Sequence, residues 1–215
     1  YDTYMSKLLD RLLEWLAALN TSVVLLSATL PKKRRRELLA KNSGIENPNI
    51  LEKPYPRISW VVGNKIESLT FSCAAELGKE TGKTISLSWI KPDKPLLAKR
   101  IRNAISDGGC VGIVCNTVSR AQDTYIALKD EIKDSELYLF HARFPFCERD
   151  RREKEVIKLF GKNSSERPER AILVATQVIE QSLDLDFDLM VSELAPVDLI
   201  LQRAGRLHRH DRSRP

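Results

Sequence analysis

The sequence predicts an α/β fold: a parallel β-sheet with helices on both faces, preceded by a helix–strand piece and a β-hairpin. Three observations predict it. After Pro92 and Pro95, short apolar runs alternate with stretches of helical periodicity up to about residue 207. Three of those runs are followed directly by polar clusters, Asn116-Thr117, His141-Ala142-Arg143 and Thr176-Gln177. Ahead of Pro92, two segments alternate in polarity and are separated by a polar loop containing glycine.

In chain order, Met5, Leu8, Leu9, Leu12, Leu13, Leu16 and Leu19 recur at helical spacing and predict an amphipathic helix over about 3–19. Residues 21–26 are expected as a short buried strand ending at Ser27-Ala28-Thr29. Pro31 suits a first helical turn, which the basic stretch 32–41 would continue, and 44–56 is a connector rich in Pro and Asn. The hairpin is expected from strands at about 66–73 and 85–89, with Thr81-Gly82-Lys83-Thr84 at its tip. Helices are then expected at about 95–106, 120–132, 148–160 and 197–207. Strands are expected at 111–115, 137–140, 171–175 and 189–192. In an open parallel sheet the positions just after the strands share the carboxyl edge, where ligands bind. The three polar clusters therefore mark a candidate site.

Composition narrows the class. Thirty-five Lys+Arg against 29 Asp+Glu leave a formal charge of +6, with cations gathered at Lys32–Arg36, Arg149–Arg152 and Arg203–Arg214. Such patches can track a phosphate backbone or form solvated helix faces, the latter being favoured for Lys32–Arg36. No apolar run is long enough to span a membrane. Cys73, Cys110, Cys115 and Cys147 form no Cys-x-x-Cys pair and fit a reduced, cytoplasmic protein, with Cys115 as core rather than nucleophile. His141, His208 and His210 are too few for a metal-dependent nuclease centre, so His210-Asp211 is not read as metal-binding. Gly78 and Gly82 lie one residue too close together for a phosphate-binding loop, and a strand rather than a helix is expected to follow.

The most informative segment is Gln202-Arg203-Ala204-Gly205-Arg206-Leu207-His208-Arg209. On a continuous helix Gln202, Arg206 and Arg209 share a stripe, a poor core face and a good polyphosphate clamp. A salt-bridged helix end is the structural alternative, and the segment alone leaves both open.

The pattern Gln-Arg-x-Gly-Arg-x-x-Arg also resembles the sixth motif of superfamily-2 helicases. Ser27-Ala28-Thr29 resembles the third, Val114-Cys115-Asn116-Thr117 the fourth, and Thr176 through Asp184 the fifth, all in the expected order. The flanking stretch Ala175–Asp188, the Glu193–Asp198 step, the ending Gly205–His210, and His141-Ala142-Arg143-Phe144 followed by Arg149 and Arg152 resemble the CRISPR-associated helicase-nuclease of type I interference systems. Ser182 replaces the glycine of many superfamily members.

That resemblance implies a division into the end of RecA-like lobe one at 1–43, a connector with the hairpin at 44–94, and RecA-like lobe two at 95–215. It implies Arg206 and Arg209 as arginine fingers, with Gln202, Arg203, Gly205 and Asp184 at the nucleotide. Thr117, Asn116, Arg143, Thr176 and Gln177 would contact nucleic acid, and Ser27 and Thr29 would couple the lobes. It further implies ATP and Mg²⁺, with the Mg²⁺ ligands outside this chain, and movement along single-stranded DNA. An RNA-guided surveillance complex, an N-terminal helicase lobe and an HD nuclease domain would be the partners. In the family Tyr-Asp follows an acidic ATPase motif, so Tyr1-Asp2 suggests a piece cut just after it, unable to hydrolyse ATP alone. The alternatives are another superfamily-2 helicase or a non-catalytic nucleic-acid-binding module.

Overall fold

The computed structural model describes residues 3–27, 30–45, 57–63, 65–71, 84–132, 136–162, 166–180 and 183–215. They belong to two compact units, Tyr1–Thr84 and Ile85–Pro215.

In the first unit the helical spacing of leucines gives α1 (Thr3–Ala18), and the basic stretch after Pro31 gives α2 (Lys32–Ser43). Ion pairs stitch the two helices together: Arg34 Nη2 lies 2.8 Å from Asp10 Oδ1, and Lys41 Nζ lies 2.7 Å from Glu14 Oε1. Arg35 is buried, so the Lys32–Arg36 cluster is partly turned inward rather than wholly solvated.

The strand expected at 21–26 does not form, and Leu26 is 93 % exposed. A strand persists only where its N–H and C=O groups are paired. Among the described residues of this unit, the two strands present pair with each other and not with this segment. Those strands are β1 (Arg57–Val62) and β2 (Lys65–Thr70), antiparallel and in register from Arg57 opposite Thr70 to Val62 opposite Lys65.

The hairpin is therefore displaced from its expected position. Its turn is at Gly63, whose φ of 55° favours glycine, and its first strand comes from a segment the sequence had left unassigned. Residues 85–89 are not a strand, and Leu87 and Trp89 are exposed despite their alternation. The supposed tip at 81–83 lies outside the described residues. Alternation identified β2 correctly. It could not identify the partner, because period two is shared by every half-buried extended segment.

The second unit has the predicted α/β architecture. Its elements are α3 (Lys94–Ala104), β3 (Gly109–Val114), α4 (Val118–Glu131), β4 (Glu136–Phe140), α5 (Phe146–Phe160), β5 (Arg170–Ala175), β6 (Leu189–Ser192) and α6 (Val197–Ala204). The sheet order is β4-β5-β3-β6, all parallel. Side chains alternate along β3 and β5. Val111, Ile113, Ile172 and Val174 pack with α3 and α4 on one face, while Cys110, Val114, Leu173 and Ala175 pack with Phe140, Phe160 and Phe187 on the other.

Gly112 faces that second layer, where a Cβ would sit 3.0 Å from the Phe187 ring. Cys115 is buried, and burial raises its thiol pKa, as the core reading expected. Among the described residues no helix is long and apolar enough to cross a membrane.

Candidate functional site

The ladder registers align the strand ends. Phe140 and Val114 both pair with Ala175, and Val114 also pairs with Ser192. The residues that follow (Cys115-Asn116-Thr117, His141, Thr176-Gln177 and Glu193) therefore share the carboxyl edge. The three clusters singled out from sequence are brought together there, with Glu193, which the sequence had marked only as part of a family resemblance, as a fourth member.

Arg203 holds this edge together. Its side chain is 2 % exposed, and Nε donates to Glu180 Oε1 at 2.7 Å. Nη1 donates to Ser192 Oγ at 2.7 Å and to the Glu193 carbonyl at 3.0 Å, and Nη2 reaches Asn116 Oδ1 at 3.4 Å. One fixed fork of donors thus ties α6 to the ends of β3 and β6 and to the loop after β5. Its donors are spent inside the lobe.

Asn116 is similarly committed. Its amide donates to the Leu194 carbonyl at 2.7 Å, and its backbone N–H donates to Glu193 Oε2 at 2.6 Å. Glu193 Oε1 also receives Arg120 Nη1 at 3.0 Å. Gln177 Nε2 donates to the Asn116 carbonyl at 3.1 Å. Thr117 caps α4, its hydroxyl accepting from Arg120 N at 3.3 Å. Thr176 is 4 % exposed, with its backbone N–H donating to the Phe140 carbonyl at 3.3 Å. Arg143 is exposed. Ser27 is exposed in the first unit, and Thr29 lies outside the described residues.

The predicted helical stripe of Gln202, Arg206 and Arg209 is not continuous, because α6 ends at Ala204. Past Gly205 the chain is captured by a bridge to Phe187, with Phe187 N donating to the Arg206 carbonyl and His208 N to the Phe187 carbonyl. These bonds take up backbone groups that further helix would need. Arg206 is half-buried; its guanidinium donates to the Leu183 carbonyl and, at 2.9 Å, to the Glu180 carbonyl. Burial lowers the Arg206 pKa, and the neighbouring charge of Arg209 lowers it further.

Arg209 is exposed, with Nε 2.5 Å from Asp184 Oδ1. Burial pushes the Asp184 carboxyl up, but the charges of His210 and Arg209 outweigh it and hold the pKa below the usual value. His210 Nε2 lies 3.2 Å from the same carboxylate oxygen. Gln202 is half-buried, and Gly205 is exposed at the end of α6.

The remaining arginines of the Arg203–Arg214 patch are neutralised within the fold. Arg212 Nε lies 2.7 Å from the fully buried Asp186, and Arg214 bridges Asp186 and Asp188. Asp188 also takes Arg167 at 2.7 Å. Arg149–Arg152 is partly spent too, since Glu148 receives both Arg151 and Arg152. Sequence reasoning missed these acids because it counted cations by proximity in sequence. The alternation Asp184-Leu185-Asp186-Phe187-Asp188 was the available signal.

Residues 107–212 match the family model described as CRISPR-associated nuclease/helicase Cas3, C-terminal. The chain is 41 % identical over 256 residues to the CRISPR-associated endonuclease/helicase Cas3 of Thermus thermophilus, covering 100 % of this chain and 27 % of that protein. It is 40 % identical over 218 residues to the Escherichia coli protein of the same name, covering 99 % and 24 %. The chain thus spans about a quarter of these relatives. Among solved structures, one described as a CRISPR-associated protein superposes with a TM-score of 0.82 at 48 % identity, over 98 % of this chain and 23 % of that one. T. fusca Cas3 with AMPPNP gives 0.78 at 36 % identity, over 97 % and 26 %. A chain of a CRISPR RNA-guided surveillance complex, pre-nicking, gives 0.70 at 34 %, over 97 % and 27 %.

Proposed function

Because this chain belongs to the CRISPR-associated nuclease/helicase Cas3 family and corresponds to its C-terminal helicase part, we propose that it is one half of an ATP-driven motor on single-stranded DNA. In this reading it supplies phosphate-facing arginines and strand contacts, while a companion helicase lobe supplies the phosphate-binding loop. The carrying observation is the division of labour among the three arginines. Arg203 is sealed into the lobe, Arg206 is half-buried on backbone carbonyls, and Arg209 stands exposed on Asp184.

This arrangement suits a polyphosphate. Arg203 fixes the end of α6, and the segment after it presents Arg206 and Arg209. Arg209 exchanges the Asp184 carboxylate for a phosphate oxygen, staying charged throughout because a guanidinium does not lose its proton. The same Arg203 fork touches Asn116 and Glu193, so a shift of α6 is felt at the strand-contacting edge. Thr117, Gln177, Thr176 and Arg143 stand at that edge as strand contacts, Arg143 through its exposed cation and the others through backbone or hydroxyl groups that position a strand without reading its bases. Ser27 and Thr29 are assigned to coupling between lobes. The T. fusca neighbour binds AMPPNP, and another neighbour belongs to a surveillance complex, so ATP and that class of complex are the proposed substrate and partner.

The described residues do not fit a magnesium site. No three His, Cys, Asp or Glu side chains among them converge, and Asp184, Asp186 and Asp188 are each engaged by arginine.

In the full-length protein, Arg209→Ala and Arg206→Ala are expected to cut ATP turnover by about 10³-fold or more, with circular dichroism unchanged. Normal turnover in both variants would remove the finger role. The 215-residue chain alone is expected to hydrolyse no ATP. Magnesium-dependent phosphate release by it, read with malachite green, would refute the half-site reading.

A further inference from the structure

Phe146, the first residue of α5, stands just beyond the carboxyl end of β4 with 78 % of its surface exposed. The loop carrying it is braced by its neighbours. Phe144 stacks on His141, with ring centroids 4.1 Å apart and planes within 5°, and the Arg152 guanidinium lies 4.3 Å from the Phe144 ring. Arg152 is itself held by the Leu139 carbonyl at 3.1 Å and Glu148 at 2.7 Å. Phe144 is thus the ring that builds the loop. Phe146 has no such structural work: its ring contact among the described residues is Arg149, 5.9 Å away.

The surroundings of Phe146 are cationic. Arg143 and Arg149 have no ion pair among the described residues, because the two acids flanking Arg149 are occupied elsewhere, Glu148 by Arg151 and Arg152 and Asp150 by Lys154. An exposed ring with the Arg149 guanidinium 5.9 Å away, three residues after the exposed Arg143, matches a nucleobase beside its flanking phosphates. Such a ring accepts any base, because every base has a π-face.

We propose that Phe146 is a stacking platform for one nucleobase of the bound single strand, with Arg143 and Arg149 on the adjacent phosphates. The proposal deepens the strand-contact reading above and rests on it. It makes β4, the edge strand of the sheet, a point where the strand is gripped through a base as well as through phosphates. Stacking resists sliding until the base is lifted off, which suits a motor that moves in steps.

The test uses the full-length protein and a single-stranded oligonucleotide with 2-aminopurine placed at successive positions. At one position the bound probe is expected to be quenched by Phe146, and Phe146→Ala is expected to lose that quench and weaken binding about tenfold. Phe146→Trp should restore both, and an abasic site at that position should bind the parent and Phe146→Ala equally. Parent-like affinity and quench in Phe146→Ala, with DNA binding intact, overturns the platform and leaves the motor reading standing. Equal weakening of Phe146→Ala on intact and abasic strands also overturns it, and points to a docked protein surface instead. Failure of the parent to bind single strands overturns both readings.

Discussion

Removing the Arg203 side chain is the sharpest test of how this lobe is held together. In Arg203→Met an apolar chain of similar length fills much of the space, but four contacts disappear: Glu180 at 2.7 Å, Ser192 at 2.7 Å, the Glu193 carbonyl at 3.0 Å and Asn116 at 3.4 Å. The larger cost is what remains. Glu180 is 5 % exposed beside Arg203, so the substitution leaves a carboxylate in a site closed to water. Breaking a buried pair from one side costs about 3–5 kcal/mol, whereas an exposed pair is worth less than about 1 kcal/mol. With a urea slope of about 2 kcal/mol per M, the unfolding midpoint of Ile85–Pro215 should fall by about 2 M.

The measurement is urea unfolding by circular dichroism, with amide exchange of β3 and β5 to assign the loss to this unit. Arg203→Met combined with Glu180→Leu should recover part of the loss, because the second change removes the orphaned charge. A single variant within about 1 kcal/mol of the parent would refute the reasoning, since an internal ion pair cannot be broken from one side so cheaply.

Two further perturbations have signs that the structure sets. Gly112→Ala places a methyl 3.0 Å from the buried Phe187 ring, so overpacking should cost about 1–3 kcal/mol by urea denaturation; a neutral or stabilising result would show that the ring can give way. Arg151, with Arg152, holds the Glu148 carboxyl down from 4.5 to about 2. That group therefore contributes stability above its ordinary value, and loses it as the pH falls towards 2. Glu148→Gln should flatten, without abolishing, the fall in thermal midpoint between about pH 5 and about pH 2, since Asp184 and Asp188 are also held below their usual values. An unchanged slope would contradict the assignment.

The sequence by itself determined the α/β alternation, the helices, and the convergence of Asn116, Arg143 and Thr176 on one edge. These follow from period and order along the chain, because a parallel sheet must place successive strand ends on the same side. It also singled out the Gln202–Arg209 segment and the family to which that segment belongs. Only the tertiary structure decided how each arginine is paired and how deeply it is buried. Arg203, Arg206, Arg209, Arg212 and Arg214 look alike in a string of letters, yet Glu180, Asp184, Asp186 and Asp188 sort them into sealed, half-buried and exposed.

The end of α6 was likewise invisible in sequence, because the bridge to Phe187 that draws Arg206–His208 out of the helix comes from a distant segment. The same holds for the hairpin, where β2 was legible from alternation but β1 was not. Periodicity records which face of an element is buried. Pairing, whether of strands or of charges, depends on what the fold brings alongside, and that is settled only when the chain closes on itself.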